Sequence, residues 1–121
     1  MIKIFVSIAL FLLATGCYWE DIETVFPKDE SCDTLDVSFA LDVVPILENN
    51  CFTCHSNANA PNFASGLRLE DYEDVSIATA QIVGAINHSN GFMPMPQGQE
   101  KLDSCQIGTI EAWINQGSLN N

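Results

Sequence analysis

The chain has 121 residues, room for one small domain. Sixteen acidic residues stand against four basic ones, a formal net charge of -12. That balance repels nucleic acid and anionic headgroups and would favour a basic protein surface as partner, although a solvated acidic face is equally common in exported proteins. Lys3 is the only charge ahead of an apolar run, Ile4 to Ala14, which ends in the small residues Ala14-Thr15-Gly16. A charged start, a short apolar segment and a small-residue end make residues 1–16 an expected export signal. The run falls well short of the ~20 apolar residues that span a bilayer.

Cys17 follows directly, and Ala14-Thr15-Gly16-Cys17 resembles a bacterial lipobox, with Ala14 where leucine is usual and Leu13 one place further back. The resemblance implies acylation of Cys17 as the mature N-terminus, and so a lipid-anchored domain facing the periplasm or the cell surface. The plainer alternative is an ordinary signal peptide with an incidental Cys17. Residues 17–36 hold seven acidic side chains and no hydrophobic period, which reads as an acidic tether ahead of a domain over 37–121.

From Ser38 the pattern turns helical. Phe39, Val43, Ile46 and Leu47 fall on one face, Ser38 is a suitable N-cap, and Pro45 must either kink this helix or open a new one. Residues 56–66 carry loop chemistry. Val75, Ala78, Ile82 and Ile86 recur at spacings of three, four and four, one apolar face of a second helix. Residues 87–99 form another loop, rich in Gly and Pro. In the last helix Asp103 and Gln106 make a capping pair, Ile107, Ile110 and Ile114 with Trp113 make the buried stripe, and Gly117 stops it. No alternating segment of useful length occurs, so the expected class is all-α.

Cys51-Phe52-Thr53-Cys54-His55 carries the chemistry. Two thiols two residues apart can form thioethers with the vinyl groups of one haem, and the next residue, His55, is then placed as an iron ligand. Three other readings compete. A thioredoxin-like redox pair needs a strand ahead of Cys51; a zinc site needs further ligands from His88, Cys32, Cys105 or carboxylates; a Cys51–Cys54 disulfide closes a very short loop. The motif occurs once and there is no internal repeat, so one haem is expected.

Five cysteines are an odd number for an exported chain. With Cys17 given to lipid and the Cys51/Cys54 pair to a cofactor, Cys32 and Cys105 are left to pair as a disulfide. Met93-Pro94-Met95-Pro96 offers a soft thioether for the far side of the iron, in a loop stiffened by proline. Either methionine, or His88, could serve, although His88 ends a helical stretch and suits a C-terminal capping role.

The order of these features resembles the small class I-type monohaem cytochromes c: CxxCH, a mid-chain helix, Met-Pro in a loop, then Ala112-Trp113-Ile114 and a Gly stop. The likeness spans about Ser38 to Gly117. It is nearest to short bacterial lipoprotein forms, through Pro94-Met95-Pro96-Gln97-Gly98 ahead of Lys101-Leu102. It implies a cytochrome c-like bundle of three to five short helices around one covalently bound haem, with Cys51, Cys54, His55 and Met95 as its cofactor-binding residues. His55 and Met95 would be the iron ligands. Trp113 would pack against haem or the first helix, and the Pro61 carbonyl is one candidate acceptor for the His55 ring N–H. The implied function is electron transfer by a monomer, not an enzyme, with other redox proteins docking at the haem edge. The alternative is a haem domain with a labile sixth ligand that binds or senses a small gas.

Overall fold

The structure, a computed structural model, describes residues 32–121. The expected export signal, the acylated Cys17 and most of the tether therefore lie outside the described residues. Among the described residues there is no strand, and the fold is all-α. No helix among them is long and apolar enough to cross a membrane.

The first helical segment forms as the sequence predicts, with one irregularity. Ser38 has extended backbone, and its hydroxyl accepts from the Leu41 amide at 3.2 Å, while its own amide donates to Asp42 at 2.8 Å. Phe39–Val43 is then a π-helical turn, and Val44–Asn50 is α1. Pro45 opens α1 at its first turn. Its ring would crowd the Leu41 carbonyl of a continuous α-helix and has no N–H to give it, so the wider turn ahead of it relieves that conflict. Phe39, Val43 and Leu47 are buried, with Ile46 partly so.

Two single-turn helices follow, α2 (Phe52–His55) and α3 (Ala60–Phe63), the latter inside the segment expected to be loop. The expected second helix is in fact two: α4 (Tyr72–Ile77) and α5 (Thr79–Ile86). The break falls at Ala78, whose amide turns back to the Val75 carbonyl at 3.1 Å. The apolar face survives the break, since Val75, Ala78, Ile82 and Ile86 are all buried. These additional short turns take the number of helical segments above the expected three to five.

The last helix, α6 (Ser104–Asn115), is the frame of the molecule. Asp103 accepts from the Gln106 amide at 2.8 Å. Gly117 takes φ +100°, its amide bonds the Ile114 carbonyl and that of Ser118 the Trp113 carbonyl, a closed Schellman end. One face of α6 meets the π-turn, another meets α5. Trp113, fully buried, packs its ring against Phe39 at 5.3 Å, and Tyr72 stands edge-on to Phe39 at 5.3 Å.

The end of the tether is part of this packing. Val37 donates to the Gln116 side chain at 2.9 Å, and Gln116 donates back to the Thr34 carbonyl at 2.9 Å. Cys32 and Cys105 stand at disulfide distance, with Cα atoms 5.3 Å apart. Closing a loop with a sequence separation of 73 removes much freedom from the unfolded chain. Replacing both cysteines by serine is expected to lower unfolding stability by about 2–4 kcal/mol in urea titration. Non-reducing peptide mapping of the exported protein should recover the two as one linked peptide pair; two unlinked thiols would refute the pairing.

Candidate functional site

The CxxCH segment folds as one turn. Cys51 ends α1, with its amide on the Leu47 carbonyl at 2.7 Å, and starts α2, with its own carbonyl accepting from His55 at 2.9 Å. Residues three apart on such a turn share a face, so Cys51 and Cys54 lie on one side of it. Neither carries a disulfide; Cys51 is half-buried and Cys54 exposed. Burial pushes the Cys51 thiol up to about 11, so at neutral pH it is a thiol and not a thiolate. A redox CxxC depends on the opposite shift, a depressed thiol beside a strand.

His55 is buried and fixed by both its backbone and its ring. The Leu69 amide donates to its carbonyl at 2.9 Å. Its Nδ1 lies 2.9 Å from the Leu67 carbonyl. A carbonyl can only accept, so Nδ1 carries a proton, which leaves Nε2 as the ring nitrogen that could ligate a metal. Pro61 does not provide this acceptor, as one reading of the sequence had it; Leu67 does, because the chain returns past His55 after α3.

The segment behind the motif is tied down by polar side chains that the sequence disguised as loop residues. Asn59 donates to the Thr53 carbonyl at 2.8 Å, covering the end of α2. The Asn57 amide reaches Glu70, and its side chain donates to Asp71 at 2.9 Å. Asp71 is the N-cap position of α4 yet its side chain makes no cap bond, since its carboxylate is engaged by Asn57. Only the pairing of Asn57 with carboxylates 13 and 14 residues later could have signalled this. Such a spacing is not recognisable without the fold.

The methionine loop hangs on the end of α5. The Ser89 amide bonds the Gly84 carbonyl at 2.9 Å, and the Met95 amide bonds the Ala85 carbonyl at 3.1 Å. The Phe92 ring lies directly on Gly84, where an added Cβ would come within 2.5 Å of it. Met95 is half-buried, whereas Met93 is 63% exposed. His88 stands in the closing turn of α5, in keeping with the expected C-terminal role, with its amide on the Ala85 carbonyl at 3.1 Å, while its ring Nε2 donates to the Met95 carbonyl at 3.1 Å.

Among the described residues, no three His, Cys, Asp or Glu side chains gather closely enough to hold a metal ion by themselves. Cys51, Cys54 and His55 are thus not arranged as zinc ligands, which converge on one point. They do suit a haem: two unbonded thiols on one face of a turn, an imidazole with Nε2 available, and a separate thioether on a fixed loop. Phe92 and Met93, both exposed, lie in the methionine loop, and Phe63, also exposed, ends α3. Compared with known proteins, the chain matches no family model, no curated protein and no solved structure.

Proposed function

We propose that the chain is a monohaem c-type electron carrier, with haem attached through Cys51 and Cys54 and its iron held by His55 Nε2 and Met95 Sδ. The observation that carries this reading is the His55 ring, whose Nδ1–H is committed to the Leu67 carbonyl beside two unbonded thiols of a CxxCH turn. A ligand histidine needs its second nitrogen fixed in this way, which sets both tautomer and ring orientation. The haem, when bound, supplies a ferric/ferrous couple that takes up and releases one electron, and a thioether opposite histidine raises its potential.

The protein's part is to hold both sides still. His55 is bonded at ring and backbone, and Met95 at its amide and carbonyl, so both residues would hold the iron from backbone that is already tied in place. Burial and tethering favour Met95 over the exposed Met93 as the distal ligand. Phe63, Phe92 and Met93 give an apolar macrocycle side chains to cover. The acidic surface suits encounter with a basic redox partner, and an iron held by both His55 and Met95 would have no position left for substrate.

Made with haem-attachment machinery, the protein should show a reduced α-band of the thioether type and a weak ferric Met–iron charge-transfer band. Met95→Ala should abolish the charge-transfer band while leaving the haem covalently bound. A band that survives transfers the ligand role to Met93. Carbon monoxide should bind the reduced wild type slowly or not at all. Prompt, complete binding would replace electron transfer by small-gas binding at a labile sixth position.

The setting proposed for this carrier is outside the cytoplasm, on a lipid at Cys17, as the leader and the Cys32–Cys105 pair both suit an exported chain. Cys17→Ser should move the haem protein from the membrane fraction to the soluble one. Equal membrane retention of the two forms would remove the lipid from the account.

A further inference from the structure

His88 occupies a backbone conformation that its residue type does not favour. It follows the C-cap of α5, Asn87, and takes φ +55°. Its amide bonds the Ala85 carbonyl at 3.1 Å, and the Ser89 amide bonds the Gly84 carbonyl at 2.9 Å, the two bonds of a Schellman end. Glycine is the usual residue at that position, because a Cβ is strained in the left-handed region. At the equivalent place after α6 the chain does have glycine, Gly117 at φ +100°. His88 shares a positive φ with the non-glycine residues Asp36, Ser65 and Ser118, so what sets it apart is the bond its side chain makes.

That side chain reaches Met95. Nε2 donates to the Met95 carbonyl at 3.1 Å across a sequence separation of seven. On the other side of the same residue, the Met95 amide donates to the Ala85 carbonyl, which also accepts from the His88 amide. Met95 is therefore gripped at both its backbone groups by one turn of chain, and His88 supplies the half of the grip that comes from a side chain. With this bond gone, the loop from Ser89 to Met95 keeps the Phe92 ring on Gly84 and the single amide bond.

We infer that His88 is a positioning residue for the distal ligand, holding Met95 by its carbonyl so that its sulfur is presented to iron; this rests on the haem reading above. The role is one of geometry, and His88 itself binds nothing.

His88→Gly separates this role from plain helix termination, since glycine relieves the backbone strain while removing the donor. Urea stability of the full haem protein should stay level or rise. Amide exchange at Met95 should quicken by about threefold to tenfold, the value of one lost hydrogen bond, with exchange at Ile110 in α6 unchanged. The ferric Met–iron band should weaken. His88→Gln, whose side-chain amide reaches about as far as Nε2 and keeps an N–H donor, should recover part of the protection and of the band. Unchanged Met95 exchange and band in His88→Gly would overturn the inference, as would no recovery in His88→Gln. A chain isolated without covalent haem would defeat the proposed function instead. Exchange at Met95, compared between wild type and His88→Gly in that same preparation, would still judge His88.

Discussion

Everything in the domain is referred to α6, and α6 is held by the burial of Trp113. Its indole packs on Phe39 of the π-turn, Tyr72 of α4 closes the aromatic group edge-on, and the indole N–H donates to the Leu119 carbonyl at 2.8 Å. Three segments distant in sequence thus share one apolar contact, in a chain too small to have a second core. The polar bonds around it act as guides. Tyr72 donates to the Ser118 carbonyl, and the Ala40 amide and Ser38 hydroxyl both donate to the Asn121 carbonyl. Each fixes where the chain leaving α6 lies against the start of the domain. The Cys32–Cys105 pair does the same at the other end of the helix.

The two sides of the candidate site are built on different principles. On the histidine side the chain folds back on itself: α2, the asparagine loop, α3 and the return past Leu67 and Leu69 lie within about twenty residues. His55 is held there by contacts that need little of the rest of the molecule. On the methionine side there is no such local closure. Met95 is placed by the end of α5, which is itself placed by the packing of Ile82 and Ile86 in the core. The first side is a property of local sequence, the second a property of the fold. Core substitutions should therefore reach the methionine first.

This difference also decides how much could be read from the sequence. Ser38, Asp103 and Gly117 act through neighbours three or four residues away, and their roles were legible because the partners are fixed by helical geometry. The spacing within Cys51 to His55 is legible for the same reason. The apolar face from Val75 to Ile86 was also visible, but the break at Ala78 was not, since two short helices in line preserve almost the same face as one. The Leu67 carbonyl was beyond reach for another reason. Every residue has a carbonyl, so the choice of acceptor for His55 depends on where the chain returns and leaves no mark in residue type. The place of His88 at the end of a helix was legible, but the bond of its ring was not, since its partner is in a loop seven residues on.

The charge balance bears on the site through its distribution. Arg68 pairs with Asp74 at 2.9 Å, so one of the few cations of the domain is already engaged on α4. Beside it, Glu70 and Asp71 are committed to Asn57 and so to the placement of the turn that carries His55. These carboxylates serve structure before they serve any partner. Exposed charge pairs contribute little to stability and are weakened by salt, whereas the Asn57 bonds join that of Asn59 in holding the loop behind the motif. Loss of Asp71 would thus be felt as a looser segment behind the motif more than as a change in surface potential, and steering of a basic partner would fall to the acidic residues that hold nothing in place.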